Sequence, residues 1–404
     1  MSMTLHFWNK LDIDLDVMAN YGDDSMALTF RYEVMLSALR FFLNRTKEHP
    51  FSFQLHRRFR HLEGEEQYID SILGMLVAQS MWWEDAFIRF RASQMSILYC
   101  AKNRLPLLRS VQLLGSISYG EIHQFHDLLD NTPRLTRVNL THLSDWRVDW
   151  SRLLVLKVGV FDDHKHLLSV LCQTKQLEKL AIYSSLSKFD LDPKDAPLLL
   201  PWLRVLTLID VGFLSALQAP SLEGLYINGW DDAETVDAAI TSFLFRSSCQ
   251  LKRFGMAGCV AASLHGILQQ TPDLVHLSLD NDADMVKSFG ELSFHRQRRG
   301  ASLLAPHLQS LTVVDPGLFD LELMELSTLL ASRANQVLDN SGHILIQKLQ
   351  NLTVITLQQP TQYLKRAAVE RLRQQCQTKG VSFDVKLATT MPWPRHDNTR
   401  IIDW

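Results

Sequence analysis

Cysteine is scarce, and the few cysteines are scattered along the sequence. The chain has 404 residues and five cysteines, and no two of them form a Cys-x-x-Cys motif. An odd number of scattered cysteines in a long chain argues against a disulfide framework and favours a reducing compartment. We expect the thiols to be free and to serve as small core residues.

Excess charge and long hydrophobic runs are also absent. Lys and Arg number 41 against 44 Asp and Glu, which gives a formal net charge of −3. A nearly neutral chain has no general electrostatic attraction to nucleic acid or to an anionic membrane. No apolar run approaches the roughly 18 residues of a membrane span, and the N-terminus lacks the basic and apolar regions of a secretory signal. We therefore expect a soluble protein of the cytoplasm or nucleus, with no nucleic-acid and no membrane partner.

The common signatures of catalysis are missing as well. No glycine-rich phosphate loop, His-Glu-x-x-His, Gly-x-Ser-x-Gly or calcium-loop motif occurs in the sequence. Two clusters of polar residues could suggest a metal or ligand site, but they have simpler interpretations. We interpret His123 and His126 as a pair on the surface, and Asp162 or Asp163 as a helix cap. The sequence thus predicts a protein that is not an enzyme and that holds no cofactor and no metal.

Leucine, by contrast, is abundant and recurs in a fixed pattern. The chain has 68 leucines, and the template Pro-x-Leu-x-x-Leu-x-Leu recurs ten times, with other apolar residues at some leucine positions. Six copies begin with a proline, at Pro106, Pro133, Pro201, Pro220, Pro272 and Pro306. Four lack the proline and begin at Leu153, Leu177, Leu251 and Leu352. The mean spacing of about 27 residues is typical of leucine-rich repeats.

Each copy has the features of one solenoid repeat. The Leu-x-Leu ending alternates like a short strand with one buried face. The segment before most copies has apolar residues at helical spacing, as in Ile122–Leu129, Leu167–Cys172 and Val236–Phe243. Proline then ends the helix, because it disfavours helical geometry in the preceding residue, here Thr132 or Thr271.

These features predict an α/β leucine-rich-repeat solenoid, a horseshoe with a parallel sheet on its concave face and helices on its convex face. One repeat cannot bury its apolar face alone, whereas stacked repeats share a continuous core. The alternative is a compact α/β domain in which leucines merely alternate between strands and helices. The Asn or Cys that usually ties adjacent turns together is present only at Cys259, so we expect an irregular solenoid.

The repeat pattern divides the chain into three regions. Residues 1–95 carry looser strand-like segments between helices predicted at Tyr32–Asn44 and Gln67–Met81, and we interpret them as degenerate N-terminal repeats that form a cap. Residues 96–388 form the predicted solenoid, which ends in a helix over Gln362–Lys379, stopped by Gly380, and a last strand. Residues 389–404 are predicted to be a flexible C-terminal tail.

The strand positions that alternate with the buried leucines predict the binding surface. On the concave face these positions include four cationic side chains, one acidic side chain and two tyrosines, and Arg and Tyr are favoured anchors of interfaces. The predicted contact residues are Arg137, Asn139, Lys157, Lys179, Tyr183, Tyr226, Asn228, Arg253, His276 and Asp280. We expect this strip to bind an acidic protein segment. The alternative is that these are ordinary polar residues on a solvated sheet.

Three segments resemble, in order, segments of fungal F-box/leucine-rich-repeat proteins. The run Thr-Leu-His-Phe-Trp-Asn-Lys-Leu-Asp-Ile at residues 4–13 is similar to the segment that follows the F-box in that family. His49–Phe53 and Trp82–Phe87 are similar to the next two segments. The resemblance implies that the repeats hold the substrate of a ubiquitin ligase. Binding to the ligase adaptor is expected only if an F-box is supplied upstream, and the alternative is a stand-alone interaction or inhibitory scaffold with no ligase link.

Overall fold

The computed structural model divides the chain into two compact units, Met1–Leu177 and Glu178–Trp404. The residues that the structure describes are 9–15, 25–46, 48–56, 65–116, 125–143, 146–161, 163–184, 196–228, 233–257, 264–280, 289, 292–293, 304–314, 320–335, 337–338, 344–356 and 363–387. The predicted tail at 389–404 lies outside the described residues.

The described part of the first unit contains a parallel sheet of six strands in sequence order. Its strands are β1 (Lys10–Asp14), β2 (Phe51–His56), β3 (Trp83–Arg91), β4 (Ser110–Ser116), β5 (Arg137–Leu143) and β6 (Val155–Phe161). Its helices are α1 (Ser25–Thr46), α2 (Glu66–Ala78), α3 (Met95–Tyr99) and α4 (His164–Gln173), with 3₁₀ turns at Ser80–Trp82, Ala92–Gln94 and Trp150–Arg152.

Within its described residues, the second unit contains a main parallel sheet of eight strands and two small two-stranded pairs. Its strands are β7 (Lys179–Ile182), β8 (Leu198–Leu199), β9 (Val205–Leu208), β10 (Leu217–Gln218), β11 (Gly224–Asn228), β12 (Arg253–Ala257), β13 (His276–Asp280), β14 (Ser310–Val314), β15 (Val337–Leu338), β16 (Ile344–Ile346), β17 (Asn351–Thr356) and β18 (Ser382–Leu387). The main sheet runs β7-β9-β11-β12-β13-β14-β17-β18, while β8 pairs with β10 and β15 with β16. Its helices are α5 (Ala233–Ser247), α6 (Leu264–Gln270), α7 (Asp320–Ser332) and α8 (Tyr363–Lys379), with a 3₁₀ helix at Val211–Ala216. The predicted α/β class with a parallel sheet is confirmed.

The template prolines form the turns that precede the strands. In the copy after Pro133, the Leu135 N–H donates to the Thr132 carbonyl at 3.1 Å, which closes a β-turn. The same bond joins Leu274 to Thr271 across Pro272 at 3.2 Å. Proline suits the second position of such a turn because its ring fixes φ near the value that the turn requires.

At several strand starts, the backbone carbonyl just before one strand accepts two hydrogen bonds from the start of the neighbouring strand in the sheet. The Arg109 carbonyl accepts from the N–H groups of Thr136 and Arg137 at 2.9 and 3.1 Å. Six further carbonyls of the second unit each accept two N–H groups in the same way, those of Glu178, Arg204, Glu223, Lys252, Val275 and Gln309. This repeated bond fixes the register, so that template leucines of neighbouring strands lie opposite each other, as Leu277 lies opposite Leu311.

The structure corrects the position of the last copy. Leu352 pairs with Leu311, which is the second leucine of the copy that begins at Pro306. The Gln350 N–H donates to the Gln309 carbonyl. The predicted start at Leu352 is therefore wrong, because the copy begins at Leu349 and reads Leu349-x-x-Leu352-x-Val354. Leu349, Leu352 and Val354 are all fully buried.

Most predicted helices are present, with one exception. Tyr32–Asn44 lies within α1, and Gln67–Met81 spans α2 and the following 3₁₀ turn. The predicted helix at Ile122–Leu129 is wrong over its described part, which forms successive turns. There the Leu128 N–H donates to the Phe125 carbonyl three residues back at 3.1 Å. Turns suffice at this position because they already bury Leu128 and Leu129.

Two helix-end predictions hold. The Asp163 carboxylate caps α4, since its Oδ1 accepts from the Lys165 N–H at 3.0 Å. Gly380 follows α8 with φ +63°, a left-handed conformation that glycine adopts without strain. No helix within the described ranges is both long and apolar enough to cross a membrane.

The prediction that the cysteines are core residues is only partly right. Cys376 is buried, but Cys100 and Cys172 are exposed. Both exposed thiols lie on helices or helix ends whose opposite face is buried, so their spacing in the sequence does not distinguish the two faces. Cys259 lies outside the described residues.

Candidate functional site

The outer face of each sheet is the set of strand side chains that alternate with the buried template residues. Because the strands are parallel and in register, these side chains form rows across the sheet. The first row of the first unit consists of Lys10, Ser52, Asp85, Ser110 and Arg137. The second row consists of Asp12, Gln54, Phe87, Gln112, Asn139 and Lys157.

Asp85 organises the first row. Its Oδ2 accepts from the Ser52 hydroxyl at 3.0 Å, and its Oδ1 accepts from Arg137 Nη2 at 2.8 Å. The second bond spans from β3 to β5 across the intervening strand. Both partners of the ion pair are about half exposed, with side-chain exposures of 51% for Arg137 and 41% for Asp85. The pair therefore positions the guanidinium on an accessible surface and adds little to stability.

The second row is ordered by amide hydrogen bonds. Asn139 Nδ2 donates to Gln112 Oε1 at 3.1 Å. His56 Nε2 lies 3.0 Å from Gln54 Oε1 and 3.5 Å from Asp12 Oδ1. The oxygen of each glutamine side chain is thus engaged by a neighbour on the outer face.

The first row and part of the second row, Gln54, Phe87 and Gln112, line a pocket of about 310 Å³ on the outer face of β1–β5. Phe87 provides its aromatic surface, with its ring centroid 4.7 Å from that of His56. The polar lining residues include Lys10, Ser52, Gln54, Asp85, Ser110, Gln112 and Arg137. A pocket of this volume admits one or two amino-acid side chains of a ligand.

Sequence reasoning missed most of this pocket. The sequence pattern predicts a cap over residues 1–95 and therefore does not predict Lys10, Gln54, Asp85 or Phe87 as contact residues. The signal was nevertheless present, because Phe51, Phe53 and Leu55 alternate with polar residues in the same way as the later copies.

The predicted contact residues of the second unit differ from one another in exposure. Lys179 and His276 are exposed, and Arg253 is half-buried. Asp280 lies at the end of β13. Although the residue is exposed, partial burial of its imidazole, followed by the charge of nearby Arg253, lowers the pKa of His276. This shift favours the neutral imidazole at neutral pH.

The two tyrosines are buried, which corrects their predicted role as contact anchors. Tyr183 is 3% exposed and packs with Ala181 and Ile209. Tyr226 is 5% exposed and lies in a second cluster of outer-face side chains. The members of that cluster are Tyr226, Ala257, Val314 and Ile355, with Val205 packed against them. With so little of either side chain exposed, neither ring offers a partner a broad contact surface.

The two predicted asparagines are also buried. Asn139 is 4% exposed and Asn228 is 9% exposed. Asn139 positions Gln112 through its amide hydrogen bond, which is a role within the sheet. Among the predicted contact residues, the structure therefore brings Arg137 and Lys157 to the accessible outer face of the first unit.

The described residues offer no obvious metal site. Within them, no group of three or more His, Cys, Asp or Glu side chains is arranged to hold a metal ion. The chain matches no model of a known protein family, and no curated protein matches it.

Proposed function

We propose that both units are leucine-rich-repeat solenoids and that their outer sheet faces bind a protein partner without catalysis. Support for the repeat architecture comes from the two-bond carbonyl contact, which recurs between neighbouring strands within each unit. Leucine-rich repeats bury their leucines only by stacking, and the stacked strands of each unit leave one face of the sheet for recognition.

The observation that carries the binding proposal is the accessible polar row of the first unit. Arg137 is held on the outer face by Asp85, and it lies near Gln112 and Lys157 of the second row. Arginine anchors that are fixed before binding lose little side-chain entropy when a partner binds. This arrangement supports recognition of a protein surface that carries acidic groups.

The resemblance to F-box/leucine-rich-repeat proteins suggests a more specific version of this function. In that version the chain is the substrate-binding part of a ubiquitin-ligase receptor, in the cytoplasm or nucleus. The second candidate is a stand-alone interaction or inhibitory scaffold with no ligase link. The reading frame upstream of Met1 distinguishes them, since an in-frame F-box supports the receptor and stop codons before a true start support the scaffold.

Replacing Arg137 and Lys157 together with alanine is expected to weaken partner capture at least tenfold. Truncated interface anchors typically cost more than 1 kcal/mol each, and about 1.4 kcal/mol corresponds to tenfold in affinity. The measurement is quantitative mass spectrometry of proteins that copurify with the full chain from its native extract.

The matched control replaces Arg134 and Lys175 with alanine. Both are exposed in turns beside the sheet, and their replacement removes the same two positive charges from the same unit. The control variant should retain the wild-type partners. Equal partner recovery from the two variants would contradict recognition by the outer face.

A further inference from the structure

The pocket on the first unit presents mainly hydrogen-bond donors. The Asp12 carboxylate, which can only accept, lies 3.5 Å from His56 Nε2. We therefore assign the proton to this nitrogen and the oxygen to the Gln54 amide atom that it contacts. The Gln54 NH₂ group is therefore the part left to face a ligand. The same holds for Gln112, whose oxygen accepts from Asn139.

The charged groups of the pocket give the same polarity. The Asp85 carboxylate already accepts from Ser52 and Arg137, whereas Lys10 at the far end of the first row is exposed. Arg137 has five N–H donors, of which one is directed to Asp85. Two amide NH₂ groups, an ammonium and a guanidinium thus surround one cavity, an arrangement that suits an anionic oxygen ligand.

The remaining wall of the pocket is aromatic. Phe87 lies between Gln54 and Gln112 in the second row, and its partly buried ring lines the cavity. A ligand whose carboxylate meets the donors can therefore place an apolar group on this ring. The cavity opens on the sheet face, which accommodates a passing chain segment.

We infer that this pocket binds an Asp or Glu side chain of an extended partner segment, with an adjacent apolar side chain of that segment resting on Phe87. The inference rests on the proposed protein-recognition function and specifies its partner chemistry. It assigns the selective contacts to Gln54 and Gln112, because their NH₂ groups discriminate a carboxylate from a group that itself donates.

The test uses a phage-displayed library of random dodecapeptides selected on the full chain. The peptides are fused to the phage at their C-terminus, so only side-chain carboxylates are sampled. We expect the selected peptides to share an Asp or Glu next to an apolar residue. The dissociation constants of the corresponding synthetic peptides are then measured with the wild type and with the Gln54→Glu and Gln112→Glu variants.

Each Gln→Glu change keeps the shape of the side chain and the oxygen that His56 or Asn139 contacts, and it replaces the donor by a charged acceptor. We expect each variant to bind the acidic peptides at least tenfold more weakly, because a hydrogen bond to a charged group is lost and repulsion is gained. Gln270→Glu, on an exposed position of α6, adds the same charge elsewhere and should leave affinity unchanged. Thermal unfolding of all three variants shows whether the fold is retained.

Three results would overturn the inference: recovery of no binding peptide, selected peptides without Asp or Glu, or unchanged affinity in both pocket variants. Each of these results leaves the capture experiment with Arg137 and Lys157 unaffected. A partner that depends on those two residues but not on Gln54 or Gln112 would retain the recognition function and reject only the carboxylate pocket.

Discussion

Replacing Arg333 with alanine is expected to lower the free energy of unfolding by about 4 kcal/mol, the largest effect of any single arginine replacement in the described part of the chain. Arg333 directly follows α7 and is 1% exposed. Removing its side chain leaves several buried carbonyls without donors and opens a cavity, and each such loss costs about 1–3 kcal/mol.

The contacts of Arg333 explain the size of this effect. Its Nε and Nη2 donate to the Leu292 carbonyl at 3.2 and 3.1 Å. Nη1 donates to the Ala305 carbonyl at 2.9 Å, and Nη2 donates to the Leu304 carbonyl at 2.8 Å. Burial lowers the pKa of Arg333 to about 10, so the guanidinium remains charged at neutral pH. One side chain thus joins three backbone positions of the segment between β13 and β14.

Chemical denaturation of three variants measures this prediction. Arg333→Lys should lose part of the stability, because a single ammonium cannot span the three carbonyls. Arg246→Ala should cost less than Arg333→Ala, since Arg246 is only partly buried and contacts two carbonyls, those of Leu214 and Leu217. A loss below about 1 kcal/mol for Arg333→Ala would contradict the account, because that is the ordinary scale of one hydrogen bond.

Two glycine-to-alanine substitutions in the first unit are expected to have opposite effects. A Cβ at Gly159 in β6 would lie 2.5 Å from the Thr141 carbonyl oxygen of β5. The backbone there cannot yield without separating the two strands, so Gly159→Ala should cost about 2–3 kcal/mol. A Cβ at Gly74 within α2 would meet no atom within 4 Å apart from its chain neighbours and the backbone of its own helix. Gly74→Ala should therefore stabilise the helix by about 0.5–1 kcal/mol.

The two glycine variants serve as controls for each other, because both add one methyl group to the same unit. Unfolding free energies from urea titration give the comparison, and circular dichroism verifies the native fold. Equal effects of the same sign would contradict the close approach of β5 and β6 at Thr141.

The repeated strands could be predicted from the sequence because local chemistry specifies them. Proline at the second position of a turn and alternating leucines both act within one copy of the template, so the template predicts most strands correctly. The last copy was misplaced because Leu349 and Leu352 both fit the template. Only the pairing of β14 with β17 distinguishes them, and these two strands are far apart in the sequence.

The contact surface was less predictable, because the exposure of each outer-face side chain depends on side chains from other strands. Alternation predicts Tyr226 on the outer face, as observed, but Tyr226 is buried there in a cluster whose other members, Ala257, Val314 and Ile355, come from other strands. Likewise, Asp85 and Arg137 are 52 residues apart and meet only through strand register. Rows across a sheet are properties of several strands together, which no single copy of the template contains.

Site-specific photo-crosslinking tests the central claim, that the outer face of the sheet is the partner-binding surface. A benzophenone amino acid is placed at Ser110, between Asp85 and Arg137 in the first row, and in a second variant at exposed Gln173 at the end of α4. Irradiation of the native extract should give a partner adduct from position 110 and none from position 173. An adduct formed only from position 173 would contradict the claim.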